Sequence, residues 1–260
     1  MSQANLQMSV VIATPDNYQT IRKTSSSLRS QTAKNQLEIV IVAPSQQQLG
    51  LDESDLQDFG QFQVVEVREI SSVSFANAAV RHAKAPLVVF AETHAYPEPE
   101  WAKLLIDAHQ QDWVAVGSAM VNGNPESIVS WASFLIAYSR WMPLIASSAI
   151  DRLPGHNSSY KRAILLDYGA ELDTLLETES ILHWNLRPKR HQLYLESAAK
   201  THHVNPSLFS SFVGELFYYG RLFAAARAKP WWFGRRLLYV LSFPLIPLIR
   251  QLIRLRNIGV

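Results

Sequence analysis

Cysteine is absent from all 260 residues. A disulfide framework, cysteine-ligated zinc and a thiol nucleophile are therefore excluded. A secretory signal is not expected either, because the chain opens Met1-Ser2-Gln3-Ala4-Asn5-Leu6, with no basic start running into an apolar stretch. An excess of charge of either sign is lacking: the formal net charge of +2 is too small to imply a nucleic-acid partner. Glycine is missing where a phosphate loop needs it, since Ala13-Thr14-Pro15-Asp16 has none, which argues against a nucleotidyltransferase. After Glu215 there is no acidic side chain, while Arg221, Arg227, Lys229, Arg235, Arg236, Arg250, Arg254 and Arg256 follow. A basic, apolar tail therefore follows a roughly neutral body. Internal repeats and low-complexity segments are absent as well.

What is present reads as a folded α/β protein. The hydrophobic fraction is 48% and the charged fraction 18%, values suited to a packed chain. Apolar runs at Ser9–Ala13, Leu37–Val42, Phe62–Val67, Leu87–Phe90 and Trp113–Ser118 predict strands. Helical spacing from Tyr18 to Ser30 and from Phe75 to Ala83 predicts helices between them. Further helices are expected from Ile128 up to Pro143, from Arg162, and across a segment holding Glu177, Glu179 and Leu186; Gln192–Leu195 reads as a short strand. Alternating strands and helices imply a mostly parallel sheet with helices on both faces. Ligands bind such sheets beyond the carboxyl ends of the strands. Those ends are the loops at Thr14 to Asn17, Ala43 to Ser45 and Ala91 to His94.

In this order the segments resemble inverting family 2 glycosyltransferases. Ser9 to Ser45 resembles that family's opening strand, loop, helix and second strand. Phe75 to Phe90 resembles its "ARNxGxxxAxGxxIxFLD" stretch, and Ala91 to Trp101 its "DDDxxPxPxW" segment, with Pro97, Pro99 and Trp101 in place. Gly155 to Arg162 is similar to its "GxNxxxRR" element, and Thr178-Glu179 to its acidic "ED". The resemblance covers most of the chain to about Asn205. It implies a GT-A type domain over 1–205, with a nucleotide-sugar half at about 1–118 and an acceptor half at about 119–205, then a helical tail over 206–260. Three departures stand out. Ala43-Pro44-Ser45 replaces the family's second-strand Asp, Glu92-Thr93-His94 replaces its DxD, and no basic residue precedes Asn77.

By the same resemblance Thr14, Pro15, Asp16, Ser45, Asn77, Glu92 and Thr93 face the donor nucleotide. Glu92, His94 and a late histidine, His203, are the expected ligands of a divalent metal. A carboxylate oxygen with imidazole nitrogen suits Mn2+ better than it suits Mg2+. Alternation along an extended segment points Glu92 and His94 the same way; the alternative is two ordinary loop residues. Glu179 is the expected catalytic base and Glu177 its rival, against the alternative of a solvated acidic helix. His156 and Asn157 face sugar or acceptor, unless they serve only the turn. Trp101 is grouped with them, packing the loop beyond the metal site. Trp131, Tyr138 and Trp141 recur at helical spacing, which reads as core.

In the tail, Trp231, Trp232 and Phe233 precede arginines and a proline-broken apolar run. That pattern fits a segment lying in a membrane surface over 231–256; the alternative is a core helix with a homo-oligomer contact. The expected activity is transfer of a sugar from a nucleotide-sugar donor to a glycan or lipid-linked acceptor, in polysaccharide or glycolipid biosynthesis. The expected location is peripheral, on the cytoplasmic face of the membrane. A catalytically silent, membrane-bound assembly subunit is the competing reading.

Overall fold

A computed structural model describes residues 5–67, 75–176, 179–186 and 192–258. Strand β1 (Met8–Ala13) leads through a loop into α1 (Tyr18–Arg29), whose first turn is capped by Asn17 accepting from the Gln19 N–H. Next come β2 (Leu37–Ala43), the short α2 (Gln46–Leu49), β3 (Gln61–Glu66), α3 (Ala76–His82) and β4 (Leu87–Ala91). These four strands run parallel in the order β3-β2-β1-β4.

Both faces of this half are covered, which is why its strands read as unbroken apolar runs. Val10, Ile12, Ile39, Ile41 and Val89 pack on one side with Trp101. Val11, Val40, Val42, Val88 and Phe90 pack on the other with α3 residues Ala76, Ala79 and Val80. Each valine, isoleucine or phenylalanine among them contributes roughly 1.5–3 kcal/mol of burial.

The second half is irregular. It holds β5 (Ala95–Pro97), α4 (Trp101–Ala108), β6 (Ala115–Asn122), α5 (Ile128–Tyr138), β7 (Ser148–Ile150), β8 (Ser159–Lys161), α6 (Arg162–Leu166), α7 (Glu171–Leu176), α8 (Glu179–Leu186) and β9 (Leu193–His203). The sheet continues β4-β8-β6-β9-β5, with β7 paired to β9. β6 and β9 are parallel, whereas β8, β5 and β7 run antiparallel to their partners. Three helices close the chain: α9 (Phe209–Ala228), α10 (Phe233–Leu241) and α11 (Leu245–Ile258).

Several expectations need correction. The fifth strand starts at Ala115, not Trp113, and runs on to Asn122; Trp113 instead stacks on Tyr194, rings 4.8 Å apart. The short strand at Gln192–Leu195 is the start of an eleven-residue one. Its register on β6 jumps between Ser118 and Ala119, so Ser197 to Ala199 form a bulge that breaks the period. The helix from Ile128 stops at Tyr138 and tightens into a 3₁₀ turn at Ser139–Trp141.

Candidate active site

β4 ends at Ala91 and β5 begins at Ala95, so Glu92-Thr93-His94 is the link between two strands that do not pair with each other. β5 pairs with the end of β9, placing Ala95 opposite His203, and the Val204 N–H donates to the His94 carbonyl at 3.0 Å. β6 lies on the other side of β9, with Asn122 opposite His203. Strand pairing alone thus brings residues 92, 94 and 203 to one rim of the sheet. Gly123 secures the junction: its N–H donates to the His203 carbonyl at 2.8 Å, and a Cβ there would meet that carbonyl at 3.0 Å.

At the centre of the cluster is the Glu92 carboxylate. His156 Nε2 lies 3.0 Å from one oxygen, Oε1. His203 Nε2 lies 3.0 Å from the other, Oε2, and His94 Nε2 lies 3.8 Å from it. The imidazoles of His94 and His203 meet edge to face, 4.6 Å apart. Burial acts to raise the Glu92 pKa, but the charge and hydrogen bonding of His156 and His203 prevail and hold the carboxyl well below its usual range. Burial lowers the His94 pKa, against the opposing pull of Glu92. From α9, partial burial raises the Glu215 carboxyl; His203 opposes the rise and Glu92 adds to it.

Glu92, His94 and His203 each offer one ligand atom, and the three atoms lie within 4.8 Å of one another. Although Oε2 is close to His203 Nε2, it is buried and accepts no aligned hydrogen bond among the described residues. A carboxylate oxygen in that state, flanked by two imidazole nitrogens, fits a divalent cation.

The other expected residues are dispersed. Thr14 is buried at the end of β1, where its hydroxyl donates to the Asn17 carbonyl and accepts from the Asp16 N–H, in the loop that also holds Pro15. Ser45 caps α2. The acid missing from β2 has a neighbour on β3: Glu66 stands opposite Ala43 and accepts from the Gln46 N–H at 2.7 Å. Asn77 is tied to α7, its N–H donating to Asp173 at 2.9 Å. Trp101, grouped with the acceptor site, is fully buried in the main core, so its ring meets side chains and not a sugar. Glu177 lies outside the described residues; Glu179 opens α8, but its side chain is not among those described. His156 turns out to contact the acid itself. Asn157 holds the turn: its φ of 58° is left-handed, and its N–H donates to the Phe90 carbonyl at 2.9 Å.

Sequence reasoning missed Tyr138 and Asn205. The Tyr138 hydroxyl is 3.1 Å from His203 Nε2, and Asn205 Oδ1 is 3.0 Å from His203 Nδ1. Tyr138 read as core from its helical spacing, while Asn205 sits in a loop that carries no periodic signal.

No protein-family model matches the chain, and no curated protein matches its sequence. Solved structures do match. Residues 1–349 of S. aureus TarS in complex with UDP superpose with a TM-score of 0.55 at 18% identity, covering 85% of this chain and 65% of that one. GalNAc-T7 with UDP, GalNAc and Mn2+ superposes at 0.60 and 14% identity, covering 78% and 44%. The fold is the GT-A glycosyltransferase fold. This chain spans less than two thirds of the length of these neighbours. A further TarS structure, in complex with UDP-GlcNAc, matches at 0.55 and 18% identity over 77% of this chain and 59% of that one.

Proposed function

We propose that this protein is an inverting glycosyltransferase of the family 2 type, moving a sugar from a nucleotide-sugar donor to a glycan or lipid-linked acceptor. The observation that carries this reading is the Glu92–His94–His203 cluster at the carboxyl rim of a GT-A sheet. Solved neighbours with UDP, UDP-GlcNAc and Mn2+ support it. The three residues would hold a divalent cation, Mn2+ in preference to Mg2+, which when bound supplies positive charge beside a departing diphosphate. His156 steadies Glu92 from its free side. In the transfer step the acceptor hydroxyl attacks the anomeric carbon as the bond to the diphosphate breaks. Glu179 takes the hydroxyl proton.

The tail supports a membrane-surface location, peripheral on the cytoplasmic face. No helix among the described residues is long and apolar enough to cross a membrane. Yet Trp232, Phe233, Leu238 and Leu241 are each more than three-fifths exposed, and a concentration of exposed apolar side chains marks an interaction surface. The guanidinium groups of Arg227 and Arg235 lie over the Trp231 ring, joining charge to aromatic surface as interfacial helices do.

A thermal-shift panel of nucleoside diphosphates, with and without Mn2+, tests the reading. Binding to the native state raises its apparent stability, at roughly 2–4 °C per kcal/mol for a domain of this size. A nucleoside diphosphate that stabilises only with Mn2+ is the expected result; no stabilisation by any of them rejects the proposal. Tight binding without donor hydrolysis or transfer would favour the assembly-subunit reading, which the loss of the second-strand acid at Ala43 also favours. For the base, Glu179→Gln should keep donor binding and abolish transfer. Retained transfer in that variant, with loss in Glu215→Gln, would move the role to α9.

A further inference from the structure

The loop beyond β9 contains a polar network that fixes which group of Asn205 faces the His203 ring. Asn124 is oriented by the backbone: its Nδ2 donates to the Asn205 carbonyl at 2.8 Å and its Oδ1 accepts from the Asn205 N–H at 2.8 Å. Asn122 Oδ1 accepts from the Asn124 N–H at 3.2 Å and from Ser130 Oγ at 2.9 Å. Asn205 Nδ2 then donates both to Asn122 Oδ1 at 3.0 Å and to the His203 carbonyl at 2.9 Å. A carbonyl oxygen only accepts, so the atom facing it is the amide nitrogen. The remaining atom of that amide, Oδ1, faces His203 Nδ1 at 3.0 Å. Oδ1 also only accepts, so Nδ1 must carry a hydrogen.

When the imidazole is neutral that leaves Nε2 bare, and when it is protonated Nε2 carries the proton that faces Glu92. Nε2 is the atom 3.0 Å from the orphaned Glu92 Oε2, and the Tyr138 hydroxyl stands 3.1 Å from it as a donor. Asn122, Asn205 and His203 are all more than nine-tenths buried, so water does not compete freely for these bonds. A lone pair and a carboxylate oxygen facing each other in a buried site repel unless a proton or a metal cation lies between them.

We propose that Asn205 is a positioning residue for the cation site: with Asn122 and Asn124 it locks His203 in the Nδ1–H tautomer, presenting the Nε2 lone pair to a metal shared with Glu92 and His94. This rests on the metal reading above and adds what makes His203 a ligand. The Tyr138 hydroxyl holds the lone pair when no cation does, and gives it up on binding. Outer groups of this kind typically change metal affinity 10–100-fold when removed.

Two measurements on the full chain test it. Long-range proton–nitrogen NMR of 15N-histidine-labelled protein without metal should show the Nδ1–H pattern for His203, assigned by its loss in His203→Asn. Mn2+ alone is then titrated, with free Mn2+ read by electron paramagnetic resonance. Asn205→Leu should weaken Mn2+ binding about 10–100-fold. An Nε2–H tautomer, or unchanged binding in Asn205→Leu, overturns the proposal even if wild type binds Mn2+ tightly. Failure of wild type to bind Mn2+, with His203 still in the Nδ1–H form, sinks the metal reading and leaves the lock itself standing. Should Asn205→Leu not fold, the wild-type tautomer decides, and an Nε2–H form overturns the proposal.

Discussion

At the scale of single residues, Glu92 is the side chain on which the site turns. Two histidines reach its two oxygens, so Glu92→Gln keeps the shape and removes the charge they attend. That variant should lose Mn2+ binding at least 100-fold, an effect isothermal titration would show directly, and its unfolding midpoint at pH 7 should fall because the ionised carboxyl no longer pairs with the histidines. Asn157 illustrates a different constraint. Its backbone is left-handed, and both polar atoms of its buried side chain lack a hydrogen-bond partner among the described residues. Asparagine tolerates that conformation and glycine does so freely. Asn157→Gly should therefore stay within about 1 kcal/mol of wild type, whereas the β-branched Asn157→Val should cost about 2 kcal/mol or more in urea unfolding. Equal costs for the two would remove the turn explanation.

Among the elements, β9 matters most to the site and was the least legible in the sequence. Its first residues, Leu193 to Leu195, carry the apolar signal, and the bulge at Ser197 to Ala199 then interrupts the alternation that would have announced the rest. The parallel half was legible because strands buried on both faces must be apolar throughout; β1, β2 and β4 stand within a residue or two of their expected limits. Glu92, His94 and His203 were legible through the resemblance and through their places at strand ends. The roles of Asn205, Tyr138 and His156 were not, because each acts through a contact that joins segments distant in the chain. Packing between β6 and β9 gives a prediction at this scale. Gly123→Ala would press a methyl group against the His203 carbonyl. It should weaken Mn2+ binding several-fold through displacement of His203, although Gly123 touches no ligand atom. The tail helices give another: removing residues beyond Lys229 should release the protein from anionic vesicles in a sedimentation assay, and undiminished binding would reject the surface role.

For the whole molecule, two histidines far from the cluster set its acid tolerance. Burial pushes His183 down to about 3, with its Nε2 against the Tyr160 hydroxyl, and His109 down to about 4. In the unfolded chain both titrate near 6.5. Below that value the unfolded state takes up protons that the folded state refuses, so stability is complete above about pH 6.5 and declines as pH falls toward 4. Each pH unit in that window costs about 1.4 kcal/mol per histidine. Urea midpoints should drop clearly between pH 7 and pH 5, and a His109→Gln, His183→Gln double variant should flatten the decline. The central sheet is also assembled in two registers. The first part of β9 is aligned to Gly117 and Ser118 in the core, and the last part to Asn122 and Ala95 at the rim. The three residues between them act as an expansion joint. Strands ordinarily forbid changes in length, since one residue more turns every later side chain over. Here an extra residue beside Ala198 has somewhere to go, and His203 keeps its place. Length can thus drift inside this strand while the chemistry at its end stays fixed.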